Sequence, residues 1–188
     1  MALKPLAPLK IALTGSIACG KSLFAKFLRE LGVQTLDADD IVHELIPADE
    51  RRRLAAIVFS DPVARKALEA RIHPLVRERI DAWLNSQTSQ TPQTPILKLA
   101  IIPLLFECKW DGDYDIILCI SSPVEEQIRR MVEMRGMTRV EAEARLSAQL
   151  PQEEKLARSH YVVVNDSTPE HLREEAVRCV EWLRSRQH

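Results

Sequence analysis

The run Gly15-Ser16-Ile17-Ala18-Cys19-Gly20-Lys21-Ser22 has the spacing G-x-x-x-x-G-K-[ST], the pattern of a loop that cradles nucleotide phosphates. Its backbone N–H groups must approach phosphate oxygens without side-chain obstruction, which explains a glycine at each end. The Lys21 amine then reaches the β- and γ-phosphates, and the Ser22 hydroxyl takes one position on a bridging Mg²⁺. Phosphate contacts are expected from Gly15 and from the run Ala18-Cys19-Gly20-Lys21-Ser22-Leu23. The methyl of Ala18 matters if that position needs a positive φ. Cys19, set among positive charges, is a candidate for oxidation.

A second set of chemical groups lies at Asp37-Ala38-Asp39-Asp40, after a short apolar run. Phosphoryl transfer to an alcohol needs a group that accepts or orients the hydroxyl proton, and acids that help hold Mg²⁺. Asp37 and Asp39 share a face if the backbone there is extended; the competing reading is an N-terminal cap cluster for a following helix. A third set is Arg129, Arg130, Arg135 and Arg139 around Gly136, positive charge suited to polyphosphate. A solvated helix face is an equal account of Arg129 and Arg139, which leaves Arg130 and Arg135 as the candidates.

These groups need a scaffold that brings them together, and the hydrophobic pattern supplies one. Apolar runs at 10–13, 34–36, 96–102, 115–120 and 161–164 read as strands, and 96–102 is apolar on both faces apart from Lys98, as an interior parallel strand must be. Between them, 22–31, 73–84, 124–134, 139–149 and 170–184 have apolar residues at helical spacing. The alternation predicts a three-layer α/β fold with a five-stranded parallel sheet. Ser122 before Pro123, Thr138 with Glu141 three residues on, and Thr168 before Pro169 read as helix starts. Pro74 reads as the first residue of another, with His73 as its cap.

Composition limits the remaining choices. The 188 residues carry 26 Lys+Arg against 27 Asp+Glu, so no basic footprint for nucleic acid is present. No apolar run approaches a membrane span and no secretory leader is evident, so a cytoplasmic protein is expected, working as a monomer or weak homo-oligomer. The four cysteines are scattered without metal or redox spacing and are expected to be reduced and mostly buried. The stretch 85–95 lacks aliphatic residues and reads as a solvated loop. No Asn-Lys-x-Asp guanine-reading string occurs, which points away from GTPases toward small nucleotide or metabolite kinases.

Taken in order, Leu13-Thr14-Gly15 with the phosphate loop, Asp37-Ala38-Asp39, Leu68-Glu69 ahead of His73-Pro74, Pro103-Leu104-Leu105-Phe106-Glu107, Gln127 with Arg130, Gln149 and Asn165 resemble the dephospho-CoA kinase family along nearly the whole chain. The resemblance implies a P-loop kinase fold with helical substrate-binding and lid insertions. It implies one domain over 1–188, with a core of about 9–46, 94–125 and 159–188, an acceptor-binding segment of about 47–93 and a lid of about 126–158. The implied reaction is ATP-dependent phosphorylation of the ribose 3′-hydroxyl of dephospho-CoA. By position, Asp39 matches the proposed base and Arg130 the lid arginine, so Asp39, Lys21 and Arg130 form the expected catalytic set, with Arg135 beside the phosphates. Asp37, His73, Leu105 and Glu107 fall on the acceptor side, Glu107 in the manner of a Mg²⁺-ordering acid or as an exposed loop residue. Ser22 and Asp37 are the expected Mg²⁺ contacts, and Asn165 lies toward the adenine.

The chain departs from the family pattern in three places, the first being the phosphate loop, which is commonly richer in glycine and here has Ser16, Ala18 and Cys19 at its variable positions. Between Asp39 and His73 the acceptor segment is shortened: Arg53-Leu54, Phe59 and Asp61-Pro62 remain, but Pro47-Ala48-Asp49-Glu50 joins the halves abruptly. After Asn165 stand Asp166 and Ser167 where the family usually has a glycine. The shortened segment keeps two other readings open: an ATP-binding remnant or regulator without acceptor chemistry, and a kinase of another nucleotide.

Overall fold

The computed structural model describes residues 9–47, 49–50, 54, 61–86 and 96–186. Its sheet has five parallel strands, β1 (Ile11–Thr14), β2 (Gln34–Asp37), β3 (Lys98–Ile101), β4 (Ile116–Ser121) and β5 (Tyr161–Val164), in the order β2-β3-β1-β4-β5. β1 is central, pairing Ile11 with Leu99 of β3 and with Ile116 of β4. The interior strands are buried along their full length while the edge strands are only partly so, as expected when helices cover both faces. All five expected strands are present, each within a residue or two at its ends.

The helices bounded within the described residues are α1 (Lys21–Glu30), α2 (Ala38–Leu45), α3 (Pro62–Asn85), α4 (Val124–Arg135), α5 (Arg139–Ser147), α6 (Gln152–Ala157) and α7 (Pro169–Arg184). Phe24 and Leu28 of α1 pack with Leu172, Ala176 and Leu183 of α7 on one face of the sheet. On the other, α2 and α3 contribute Ile41, Ile72, Val76, Ile80 and Leu84, a stripe closed by Leu105, Phe106 and Trp110. Two layers of helix on one sheet give each apolar stripe somewhere to go.

Three local expectations need correction. α3 begins at Pro62, capped by the Asp61 side chain, which accepts from Val63 N and Ala64 N; Pro74 therefore lies inside a 24-residue helix and His73 caps nothing. Pro74 and Ala70, whose carbonyl loses its partner, are both exposed, so water can satisfy that group. At α4 the N-cap position is Pro123, without a side-chain cap; Ser122 Oγ donates instead to Asn165 O at 2.7 Å. At the end of β2 the chain turns at once into α2: Asp37 is its N-cap, accepting from Asp39 N at 2.9 Å. Asp37 and Asp39 thus do not share an extended strand. α6 follows Pro151 directly and was not anticipated, being short and polar.

Two sequence signals hold as read. Thr138 and Glu141 form a reciprocal capping box, and Thr168 accepts from His171 N. Lys98, the one break in an apolar strand, is buried, and its amine donates to Trp83 O and to Ser86 Oγ, both at 2.8 Å. That amine ties the end of α3 to β3. The polar stretch at 87–95, together with Arg53 and Phe59, lies outside the described residues.

Candidate active site

The phosphate loop leaves the carboxyl end of β1 in the middle of the sheet and enters α1 through Gly20, a left-handed N-cap with φ +103°. α1 has no side-chain cap and no acidic residue in its first turn, so its first N–H groups and dipole remain available to an anion. Glycine is required at both ends of the loop for steric reasons. A Cβ at Gly15 would stand 2.2 Å from Ile120 O, and one at Gly20 would stand 2.2 Å from Asn165 Nδ2. Ala18 does adopt the left-handed conformation, with φ +57°, at a cost of about 1 kcal/mol. Its side chain and that of Ile17 pack against Ile128, Met131 and Ala142 of α4 and α5, so this loop joins the neighbouring helical pair by apolar contact.

A cleft of about 710 Å³ opens outside the carboxyl ends of the strands, where ligands of such sheets bind. Ala18, Gly20, Lys21, Ser22 and Leu23 form its floor. Asp37 and Asp39 form one wall; Arg130 and Arg135 form the other, joined by Arg129, Met134 and Gln149. Asn165, Ser167 and Pro169 close the far end. Lys21 Nζ donates to Gly15 O at 2.6 Å and Ser16 O at 2.8 Å. Arg130 Nη1 donates to Ala18 O at 3.1 Å and Ser122 Oγ at 3.2 Å. Both cations thus line the cleft while resting on carbonyl oxygens of the loop. Burial pushes the Asp37 carboxyl above its ordinary value and the neighbouring charges of Asp39 and Asp40 add to this, opposed by the bond from Asp39 N and by Lys21.

Several residues marked from the sequence stand elsewhere. Cys19 is fully buried in the core beneath the loop, which closes it to oxidants, and Gly15 likewise lies behind the cleft floor. Leu105 is fully buried in the core, while its neighbour Leu104 lines the cleft. Glu107 faces away from the cleft: its Oε1 meets Lys155 Nζ at 2.6 Å and accepts from Leu150 N at 3.1 Å. It is not among the residues that line the cleft, and it is half-buried in this pairing rather than an exposed loop acid. His73 lies in a separate open groove along α3, edge-on to Trp110 with ring centroids 5.3 Å apart. Arg129 lines the cleft but is already paired with Glu126 and Glu133, and Arg139 is paired with Glu125 and Glu143.

Gln149 was legible only as part of a motif; its Oε1 accepts from the loop's Ile17 N at 2.9 Å. Leu104, Met134 and Pro169 carry no chemical signal in a sequence. They line the cleft because of where β3, α4 and α7 end.

A phosphate loop on a central parallel strand, carboxylates on one wall and arginines from an inserted helical pair on the other define a P-loop kinase that phosphorylates a small molecule. The protein-family model described as dephospho-CoA kinase matches residues 9–51 and 48–171. The chain belongs to the dephospho-CoA kinase family and is a kinase that transfers phosphate to an alcohol group. It is 37% identical over 190 residues to a dephospho-CoA kinase of Thermus thermophilus, covering 92% of this chain and 90% of that one. It is 36% identical over 177 residues to one of Symbiobacterium thermophilum, covering 82% and 73%. A solved Thermus thermophilus protein superposes with TM-score 0.77 at 36% identity over 93% of this chain and 97% of that one. A shikimate kinase of Acinetobacter baumannii shares the fold, with TM-score 0.58 at 19% identity over 95% and 94%. The two matched stretches of the family model meet at 48–51, where the sequence shows its abrupt join.

Proposed function

We propose that the chain catalyses the ATP-dependent phosphorylation of the ribose 3′-hydroxyl of dephospho-CoA, giving coenzyme A and ADP, as a cytoplasmic enzyme that is a monomer or weak homo-oligomer. The observation that carries this reading is the single cleft uniting Lys21 and Ser22 with Asp39 and Arg130, in a chain of this family. ATP phosphates would lie over the loop and the N-terminus of α1, with Lys21 leaving the loop carbonyls for the β- and γ-phosphates. Asp39 would accept or orient the proton of the attacking hydroxyl, and Arg130 and Arg135 would balance charge on the transferring group. The segment about 126–158 would act as the lid and about 47–93 as the acceptor side, with Asp37 facing acceptor groups; His73, in its separate groove on α3, would not reach them.

The donor set fits Mg²⁺ carried by the nucleotide. Ser22 and Asp37 offer oxygen atoms to the same cleft, and among the described residues no group of three or more His, Cys, Asp or Glu could hold a metal alone. Mg²⁺ typically leans on one or two protein oxygens plus phosphates. When bound it would neutralise phosphate charge; the chain's own part is to present Ser22 and Asp37 to it.

The test is ADP release from Mg·ATP with dephospho-CoA, against AMP, cytidine monophosphate and no acceptor. Stimulation by dephospho-CoA alone, with a product one phosphate heavier, is expected. Nucleotide binding without acceptor-dependent turnover would refute the reading and make the shortened chain a nucleotide-binding remnant; stimulation by another acceptor would reassign the substrate.

A further inference from the structure

The phosphate loop of this chain is poor in glycine: Ser16, Ala18 and Cys19 stand at variable positions, and Ala18 holds φ +57°. Such a loop needs support from outside, because a non-glycine residue in the left-handed region is stable only when its surroundings over-determine it. Side chains from separate elements provide that support. Gln149 accepts from Ile17 N, Arg130 donates to Ala18 O, and Asn165 Nδ2 donates to Cys19 O at 2.9 Å.

Asn165 is the most firmly held of these. It is buried at 7% exposure, its N–H donates to Ser121 O at 2.8 Å, and its carbonyl accepts from Ser122 Oγ at 2.7 Å. A backbone anchored twice gives its carboxamide little freedom. Because the peptide is planar and trans, C=O and N–H of one unit point in opposite directions. Fixing the Cys19 oxygen against Asn165 therefore fixes the direction of the Gly20 N–H, the loop donor at the entry to α1. The contact is close enough to exclude any side chain at Gly20, whose Cβ would stand 2.2 Å from Nδ2.

We propose that Asn165 is a positioning residue for phosphate binding, holding the Cys19–Gly20 peptide through its carboxamide, and that it does not serve as a contact to the base. The proposal deepens the nucleotide-binding reading above and rests on it. It differs from the expectation that this residue faces the adenine, since one of its two amide N–H groups is engaged by the loop.

The test uses the full chain and displacement of a fluorescent ADP analogue by inorganic tripolyphosphate and, separately, by adenosine. In Asn165→Ala the affinity for tripolyphosphate is expected to fall about 3- to 10-fold, the equivalent of one lost hydrogen bond, with adenosine affinity unchanged. Loss confined to adenosine overturns the proposal and returns the side chain to the base; equal loss for both, or loss for neither, overturns it as well. Asn165→Asp guards against a folding defect, because it has the same shape but places an acceptor against Cys19 O. It should bind tripolyphosphate weakly at about pH 8 and recover relative to wild type at about pH 4, where an ordinary aspartate carboxyl is about half protonated; affinity that stays at the wild-type level at both values overturns the proposal. Failure of the wild-type chain to bind tripolyphosphate or the ADP analogue would instead overturn the nucleotide reading itself, and the proposal with it.

Discussion

Replacing Lys155 by methionine isolates the most buried charge among the described residues. Lys155 on α6 is fully buried, and its amine meets Glu107 at 2.6 Å; Glu107 keeps 21% of its side chain exposed. The second carboxylate oxygen, Oε2, has no hydrogen-bond partner among the described residues. Methionine restores the apolar stem but strands the carboxylate. Breaking a fully buried pair from one side costs about 3–5 kcal/mol, and the partial exposure of Glu107 reduces this to about 2–3 kcal/mol. For a chain of this size that corresponds to a fall in Tm of roughly 5–10 °C. Adding Glu107→Gln removes the stranded charge while keeping an acceptor for Leu150 N, and should bring the total to about 1 kcal/mol.

Urea unfolding of wild type, Lys155→Met, Glu107→Gln and the double variant gives the coupling free energy directly. Two results would refute the reasoning. A Lys155→Met cost below about 0.5 kcal/mol would mean that the pair is hydrated as surface pairs are. Failure of Glu107→Gln to restore stability would mean that the loss arises from packing. Because Leu150 N rests on Glu107 and the adjacent Gln149 holds Ile17 of the phosphate loop, Lys155→Met should also raise the KM for ATP more than it lowers kcat.

Asp39→Asn should lower kcat at least about 10²-fold, the usual contribution of a positioned proton acceptor, with ATP affinity retained by calorimetry; unchanged turnover would remove Asp39 from the chemistry. Asp37→Asn should stabilise the chain at about pH 7 and have little effect near pH 4, since asparagine caps a helix as well as aspartate does. Burial raises the folded carboxyl above its ordinary 3.8, so the wild type loses stability as pH rises from that value through the higher folded one; thermal unfolding at both pH values reads the difference. Gly20→Ala should reduce ATP affinity roughly tenfold or more, because φ +103° and a Cβ 2.2 Å from Asn165 Nδ2 together exceed the usual left-handed penalty of about 1–2 kcal/mol. Equilibrium dialysis with ATP checks this.

The sequence by itself determined what is local and contiguous. The phosphate loop was legible because its function resides in consecutive backbone groups, so that spacing alone encodes the chemistry. The interior strands were legible because a parallel sheet covered on both faces demands short, largely apolar runs. The capping box at Thr138 and the cap at Thr168 were legible because a cap and its partner lie within one turn.

Only the tertiary structure decided contacts between distant segments. Pro74 carried the signal of a helix start, yet Asp61 caps the helix and the stripe from Ile72 to Leu84 buries enough apolar surface to carry it through the proline. Glu107 had the look of a metal-site acid, but its partner is Lys155, supplied by a helix too short and polar to be read in advance. Asn165 meets Cys19 across 146 residues of chain, a pairing that no periodicity encodes. Local propensity and spacing act within a turn or a strand, whereas the direction of a buried polar side chain is set by whichever unsatisfied group the folded chain brings against it.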